Sequence, residues 1–176
     1  MSQELNDQEI ERRQSLNELR ELGIEPFPAA LYPVNITSKA IKTEYKEEDK
    51  NLQEVCIAGR LMSRRIMGSA SFAEIQDSTG RLQIYVRRDD ISTDANPEFY
   101  NTVFKKLLGI GDFIGVTGHI FTTQTGEISL HVTQLTVLSK AIKPLPIVKR
   151  DEDGTVFDGF TDPEQRYRQR YVDLTV

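Results

Sequence analysis

Apolar and polar residues alternate with a period of two from residue 55 onward, a pattern that is typical of strands with one buried face. Five such segments precede residue 140. Their apolar positions are Val55, Ile57 and Leu61; Ala73 and Ile75; Leu82, Ile84 and Val86; Ile114, Val116 and Ile120; and Ile128, Leu130 and Val132. Residues 77–80, Asp-Ser-Thr-Gly, predict a short hairpin turn between the second and third strands. This part of the chain is therefore predicted to be a small, mainly β domain.

A helix is predicted between the third and fourth strands. Residues 96–98, Asn-Pro-Glu, are typical of a helix start, and Gly109 is a typical end. Phe99, Val103 and Leu107 share one face of this helix. Five short strands with a helix in this position predict a mainly β fold with flanking helices, the five-stranded Greek-key OB-fold barrel. An SH3-like barrel is the structural alternative, but a helix of this size fits it poorly.

A helical arm and linker, residues 1–54, precede the predicted barrel. A helix is predicted over residues 6–23, where Asn6 and Glu9 have the spacing of a capping box. Leu16, Leu19 and Leu22 follow one side of this helix. Residues 39–54 are rich in Lys and Glu and predict a solvated helix or linker.

A linker and a helix are predicted after the barrel. Pro144 and Pro146 mark the linker, and Thr161 with Glu164 three residues later is a typical helix start. This helix is expected to run through Arg166, Arg168 and Arg170 and to reach Val176 without an end signal, as in a chain cut inside a larger protein. The predicted domains are therefore residues 1–54, 55–139 and 140–176.

Composition narrows the class of protein. The 22 Lys and Arg residues and 27 Asp and Glu residues give a formal net charge of −5. No apolar run approaches the roughly 20 residues of a membrane span, and the N-terminus lacks the pattern of a signal peptide. The single Cys56 excludes an internal disulfide, and two histidines far apart in sequence exclude a zinc knuckle. The composition predicts a protein of a reducing compartment, with no membrane partner.

The candidate binding surface lies in a locally basic segment, residues 55–90, which carries six basic and four acidic side chains. Phe72 and Glu74 on the second strand and Gln83 and Tyr85 on the third are predicted to face outward. If the turn pairs Glu74 with Gln83, Phe72 lies opposite Tyr85 and diagonal to Gln83, about 7–8 Å away. OB-folds bind single-stranded oligonucleotides on this face, where bases stack on aromatic rings and amides bind base edges.

Each candidate residue has a simpler alternative. Phe72 could instead be covered by a flanking segment, such as the N-terminal helix. Arg64 and Arg65 could hold phosphates or could be solvated charges. Glu127 could accept a hydrogen bond from a base or could remain solvated. The sequence contains no Gly-rich phosphate loop, Ser/His/Asp set or metal-ligand spacing, so catalysis by this segment alone is not expected.

Several short motifs occur together along the chain. They are Ala58-Gly59-Arg60, Arg64-Arg65-Ile66-Met67-Gly68, Ala70-Ser71-Phe72, Gln76-Asp77, Gln83-Ile84-Tyr85-Val86, Thr125-Gly126-Glu127, Lys143-Pro144-Leu145-Pro146 and the run from Arg166 to Leu174. Together they resemble the anticodon-binding domain of class II lysyl-tRNA synthetases, over nearly the whole chain. Aspartyl and asparaginyl enzymes share the barrel, but the Arg-Gln-Arg-Tyr run and the Pro-Leu-Pro linker favour the lysine family.

This resemblance implies a role for each candidate residue. Phe72 would stack on the central uridine of the anticodon, and Gln83 would form hydrogen bonds with the edge of that base. Glu127 would contact a neighbouring anticodon base. Arg65 would contact the same loop, and Arg64 would be a further anticodon contact.

The full-length enzyme that the resemblance implies is a lysine–tRNA ligase, which attaches lysine to its tRNA with ATP and Mg²⁺. It is expected to be a cytoplasmic homodimer with lysine tRNA as its partner. Its catalytic, ATP, lysine and magnesium residues are expected beyond Val176, so this fragment should hold none of them and should be inactive alone.

Two other functions are compatible with the same barrel. A general single-stranded nucleic-acid-binding OB-fold would obtain most of its affinity from phosphates, and its affinity would fall steeply with salt. The net charge of −5 argues against it. A protein-interaction OB-fold would have its outer face covered by a partner.

Overall fold

In the computed structural model of the protein, which describes residues 5–94, 96–145, 149–150, 156–157 and 163–174, five strands form a closed barrel. The strands are β1 (Val55–Met67), β2 (Ala70–Gln76), β3 (Arg81–Arg87), β4 (Phe113–Thr122) and β5 (Ile128–Ser139). Around the barrel they follow the order β1-β2-β3-β5-β4; β3 and β5 are parallel, and the other neighbours are antiparallel. The predicted OB-fold class is confirmed, and the SH3-like alternative is excluded.

The alternating apolar positions of the strands fill the interior of the barrel. Every second residue of β2 and β3 is buried, among them Ala73, Ile75, Leu82, Ile84 and Val86. The chain passes very close to itself at Gly59 on β1, where an added Cβ would lie 2.9 Å from the carbonyl oxygen of Gln76. Only glycine allows this approach of two strands without displacement. The other positions of β2 and β3 face outward, where a surface site can form.

The N-terminal arm begins with helix α1 (Asp7–Glu21). The Asn6 side chain accepts a hydrogen bond from the Glu9 N–H at 2.8 Å, and the Glu9 carboxylate accepts one from the Asn6 N–H at 3.2 Å. These two bonds satisfy backbone donors that have no partner within the helix. The predicted helix and its capping box are therefore confirmed.

Helix α1 is held on the barrel by one arginine and one leucine. The Arg12 guanidinium donates to the carbonyl oxygens of Ile110 (2.8 Å) and Ala141 (3.1 Å). Leu19 is fully buried, whereas Leu22, on the same predicted side, is 48% exposed. The apolar contact of the helix is therefore narrower than the leucine pattern predicts.

A second helix of the arm, α2 (Ser38–Glu44), lies against the turn between β2 and β3. Asp77 in that turn accepts hydrogen bonds from the N–H groups of Ser38 (2.6 Å) and Thr79 (2.7 Å). Burial raises the pKa of Asp77, but these hydrogen bonds outweigh burial and hold it below the usual 3.8. Ile41 is fully buried, so the prediction of a solvated helix or linker is wrong here.

Two helices connect β3 to β4: the short α3 (Arg88–Ile91) and a helix over Tyr100–Leu107, which we call the plug helix. The buried residues of the plug helix, all part of the barrel core, are Tyr100, Val103, Phe104 and Leu107. The plug helix is a π-helix, which is wider than an α-helix: the Leu108 N–H donates to the carbonyl oxygen of Val103, five residues earlier, at 2.9 Å. The predicted helix is confirmed in position, but its start at residue 96 is wrong. Its predicted face is confirmed for Val103 and Leu107, which are buried, whereas Phe99 is only partly buried and Tyr100 is buried in addition.

The chain divides into two compact units, residues 1–142 and residues 143–176. The second unit contains strands β6 (Lys149–Arg150) and β7 (Val156–Phe157), which pair, and helices α4 (Pro163–Arg168) and α5 (Arg170–Asp173). The predicted continuous helix is wrong, because the backbone leaves the helical conformation at Gln169. The predicted cap Thr161 and the linker residue Pro146 lie outside the described residues.

The predicted domain boundaries after residues 54 and 139 stay a prediction, since the arm and the barrel lie in one compact unit. In the part of the chain that the structure describes, no helix combines the length and the apolar character of a membrane span.

Candidate nucleic-acid interface

An open groove of about 810 Å³ lies on the outer face of the barrel over β2 and β3. Phe72, Gln83 and Tyr85 line it from these strands, Arg65 from the end of β1, and Phe121 from the end of β4. Its volume is in the upper part of the range of about 300–1,000 Å³ in which proteins enclose small ligands. No described residue of the arm lines the groove, so the alternative that the N-terminal helix covers Phe72 is wrong.

Four rings follow one another around the barrel at the level of Phe72, and we call them the ring row. Phe72 on β2 lies opposite Tyr85 on β3, Tyr85 lies opposite His131 on β5, and His131 lies opposite His119 on β4. In this order the ring centroids are 5.0, 5.3 and 4.8 Å apart. Arg65 on β1 is paired with Phe72 at the other end. All five strands therefore contribute one residue at this level.

Gln83 lies two residues from Tyr85, on the same face of β3. Its Nε2 donates to the Ser129 Oγ on β5 at 2.9 Å, and Ser129 is fully buried. This bond fixes the amide and leaves its oxygen and one N–H without a partner among the described residues. The predicted pairing of Glu74 with Gln83 is confirmed, and Phe72 is therefore opposite Tyr85 and diagonal to Gln83.

The two arginines that the sequence predicts as phosphate ligands differ in their contacts. Arg65 is exposed at the rim of the groove, and no other described residue pairs with its guanidinium. Arg64 donates from Nη1 to the carbonyl oxygens of Phe104 and Leu108 at the end of the plug helix. Burial lowers the pKa of Arg64. Arg64 also lines the groove, but carbonyl groups of the protein already occupy part of its guanidinium. An anticodon contact by Arg64 stays a prediction.

Glu127 lies in the connection between β4 and β5, outside the lining of the groove. Its carboxylate is 3.9 Å from the Lys42 Nζ on α2, and both side chains are about half exposed. An exposed pair of this kind contributes little to stability, so the carboxylate can exchange Lys42 for another donor. A contact between Glu127 and a base stays a prediction.

Phe121 and the two histidines were missed as members of this surface. The Phe121 ring lies 6.0 Å from both Tyr85 and His131. Alternation along β4 could have found it, because the preceding Ile120 is buried. Alternation within a single strand does not predict the pairing of β3 with β5. This pairing places His131 beside Tyr85. Within the described ranges, no group of three His, Cys, Asp or Glu side chains is arranged to hold a metal ion.

The barrel also matches a known family of domains. Residues 55–138 match the tRNA anti-codon family model, described as an OB-fold nucleic acid binding domain. The match begins at the first residue of β1 and ends one residue before the end of β5, so the OB domain contains all five strands and the whole groove.

The chain as a whole is similar to lysine–tRNA ligases. It is 62% identical over 174 residues to such a ligase from Porphyromonas gingivalis, covering 98% of this chain and 30% of the relative. It is 55% identical over 174 residues to one from Christiangramia forsetii, covering 99% of this chain and 30% of the relative. The chain thus spans about a third of the length of the relatives it matches. The resemblance to lysyl-tRNA synthetases is confirmed.

Proposed function

We propose that this chain is the anticodon-binding part of a lysine–tRNA ligase and that its OB domain binds the anticodon loop of lysine tRNA. The observation that carries this proposal is the placement of the Phe72 ring and the Gln83 amide side by side in one open groove. The family of the OB domain and the similarity to lysine–tRNA ligases support tRNA as the ligand.

Phe72 would provide the stacking surface for one unpaired base. Its ring is supported by Tyr85 at 5.0 Å, so it does not need to be ordered when the base arrives. Stacking of a base on an aromatic side chain contributes about 1–3 kcal/mol. Because stacking tolerates every base, this contact contributes to affinity more than to sequence preference.

Gln83 would supply the sequence preference. Its amide is held by Ser129, and one oxygen acceptor and one N–H donor remain for the ligand. Uracil presents its N3–H donor next to a carbonyl acceptor along its pairing edge, whereas cytosine presents an acceptor at N3 next to an amino donor. Because the bond to Ser129 fixes the orientation of the amide, Gln83 would match the order of groups on uracil and not the reversed order on cytosine. A wrong base would leave a partly buried polar group without a partner, which costs more than the hydrogen bond itself gains.

The charge of the chain favours recognition of bases over general binding of phosphates. The net charge is −5, and Arg65 is the basic side chain that extends into the rim of the groove without a described partner. A general binder needs several phosphate contacts for its affinity. Arg65 would contact the backbone of the loop, and Glu127 would contact a base next to the stacked one.

In the whole ligase, binding at the anticodon would position the distant acceptor end of the tRNA. Binding energy from a remote part of a substrate raises kcat/KM when it orients the reacting groups. The whole protein would join lysine to its tRNA with ATP and Mg²⁺, as a cytoplasmic homodimer. This chain would contribute recognition only.

The proposal is tested by titrating the 176-residue chain with two anticodon stem-loops of equal length at pH 8. One has the U-rich anticodon loop, and in the other the uridines are replaced by cytidines. We expect the U-rich loop to bind at least about fivefold more tightly, since one matched base edge contributes about 1–3 kcal/mol. Fluorescence anisotropy at two salt concentrations gives both the preference and the salt slope.

The alternative functions predict other results. Equal affinity for both loops, with a steep loss of affinity at higher salt, would show a general single-strand binder. No binding to either loop at low salt would favour a protein-interaction domain. Both results would contradict the proposal.

A further inference from the structure

The ring row continues beyond the groove to a pair of histidines that the proposed function does not use. His131 and His119 lie opposite each other on β5 and β4, with ring centroids 4.8 Å apart. His131 meets the Tyr85 ring nearly at a right angle, with centroids 5.3 Å apart. The pair is therefore in contact with the ring that supports Phe72, at the end of the row away from Arg65.

Asp90 on α3 holds one histidine of the pair. Its Oδ2 is 2.6 Å from the His131 Nε2 and 3.7 Å from the Arg87 Nε. The side chains of His131 and Asp90 keep 21% and 26% of their surface exposed, so a ligand in solution can reach them. The imidazole is thus fixed in orientation and remains accessible.

The charges around the pair are nearly balanced when both histidines are neutral. The charged side chains on the elements around it are Arg87 on β3, Arg88, Asp89 and Asp90 on α3, and Glu54 before β1. Arg88 pairs with Asp89 at 3.0 Å, and Arg87 pairs with Asp90. Because these two pairs cancel, Glu54 leaves one negative charge at this end of the row when both histidines are neutral. One bound proton neutralises it, and a second proton makes this end positive.

We propose that His119 and His131 form a further RNA-binding position, where a protonated imidazole binds a backbone phosphate of a nucleotide next to the one stacked on Phe72. This inference rests on the proposed function. The ring row connects the two positions, since a strand with one base on Phe72 passes over Tyr85 to reach the histidines. An imidazole that becomes protonated only when a phosphate is near adds affinity for the bound RNA. It does not give the acidic chain a permanent positive charge that would attract every polyanion.

The environment of His119 supports this arrangement. Burial and the neighbouring His131 lower the pKa of His119 from its ordinary value of 6.5, and Asp90 opposes this only in part. His119 is therefore neutral at pH 8 and would take up a proton when a phosphate approaches. By linkage, RNA affinity then rises as the pH falls. A phosphate that raises one histidine pKa by about one unit tightens binding by at most about tenfold, and this limit is reached only well below both pKa values.

The experiment measures the affinity of the 176-residue chain for the U-rich stem-loop between pH 6 and pH 8, at constant ionic strength. His119 and His131 are the two histidines of the sequence, so H119Q/H131Q removes every imidazole and leaves the other titrating groups in place. We expect the wild-type chain to bind about 3- to 10-fold more tightly at pH 6 than at pH 8. The variant should bind equally at both pH values.

A second measurement keeps the test decisive if the double variant does not fold. NMR titration of the two imidazole C–H signals in the wild-type chain gives both histidine pKa values with and without RNA. We expect at least one of them to rise on RNA binding. Inorganic phosphate at the same ionic strength should produce a smaller rise, because it lacks the stacked base.

Each result decides between the proposals. The histidine position is overturned if RNA binds at pH 8 and the wild type and the variant show the same pH dependence. It is also overturned if RNA binds and the histidine pKa values do not change. Both results leave the proposed function intact. An equal pKa rise with inorganic phosphate shows a free anion site and also overturns it. Absence of RNA binding at every pH overturns the proposed function and this inference with it.

Discussion

Replacing Phe72 by alanine removes the ring on which the proposed recognition depends. The base would lose its stacking partner, worth about 1–3 kcal/mol, which corresponds to about a 5- to 150-fold higher Kd. The loss should be similar for the U-rich and the cytidine-substituted loop, because stacking does not depend on the base edge. Phe72→Trp, which keeps an aromatic surface, should restore most of the affinity.

The same substitution has a smaller effect on folding. Phe72 is half-buried and packs against Tyr85, and an aromatic pair of this kind contributes about 0.5–1.5 kcal/mol beyond the buried area. A fully buried phenylalanine would cost about 3–5 kcal/mol when truncated to alanine. We therefore expect Phe72→Ala to lower the free energy of unfolding by about 1–2 kcal/mol, which leaves the chain folded in a binding assay at 20 °C.

A matched control separates the loss of the ring from the loss of stability. Phe113 on β4 is also half-buried, lies under the Arg60 guanidinium at 4.3 Å, and is outside the groove. Phe113→Ala should destabilise the chain to a similar degree and leave its RNA affinity unchanged. Anisotropy titrations of both variants, with urea unfolding of each, make the comparison. If Phe72→Ala and Phe113→Ala bind RNA within twofold of each other, the stacking role of Phe72 is refuted.

Three further predictions concern other residues. Gln83→Ala should weaken binding of the U-rich loop about 5- to 10-fold, because the edge of one uracil loses its partner. Binding of the cytidine-substituted loop should not change. An equal loss for both loops in the same titration would contradict the role of Gln83. Arg65→Met should weaken RNA binding and reduce the salt slope by about one. Arg64→Met should instead lower the free energy of unfolding by about 1–3 kcal/mol without changing the RNA affinity, because two carbonyl groups lose their donor. The reverse pattern would show that the roles given to the two arginines are wrong. Asp77, whose folded pKa is below 3.8, contributes stability that is complete above its unfolded pKa and lost as the pH falls through its folded pKa. Asp77→Ala should therefore be destabilised by about 1–3 kcal/mol at pH 7 in urea unfolding, and the gap to wild type should narrow below about pH 4. A gap that is constant with pH would exclude the hydrogen bonds of the ionised carboxylate as its cause.

Much of the site follows from the sequence because alternation in short strands is a local property. The outward positions of Phe72, Gln83 and Tyr85 and the register of the β2–β3 hairpin were predicted from parity and one turn. The positions of the two arginines could not be predicted in this way. The register of β1 shifts between Leu61 and Ser63, so alternation counted from the start of the strand does not predict the contacts of the two arginines, both of which line the groove.

Long-range pairing explains the remaining differences. His131 joins the surface because β3 pairs with β5 across 46 positions of sequence, as in the Gln83–Ser129 hydrogen bond. No local pattern specifies that pairing. The plug helix differs in its winding, which periodicity does not reveal: its π-helical turn goes together with the burial of Tyr100, whose hydroxyl is hydrogen-bonded to Ser71 at 2.8 Å.

The closure of the barrel by β3 and β5 means that recognition and folding cannot be separated. A synthetic hairpin with Phe72 and Gln83 would lack Ser129, which orients the amide, and would have no rigid backing for the ring. Opening of the β3–β5 pairing would separate Gln83 from Ser129 and Tyr85 from His131, and the groove would lose its arrangement. A substitution that weakens the pairing of these two strands should therefore lower the proposed RNA affinity even where the other strand pairs stay intact.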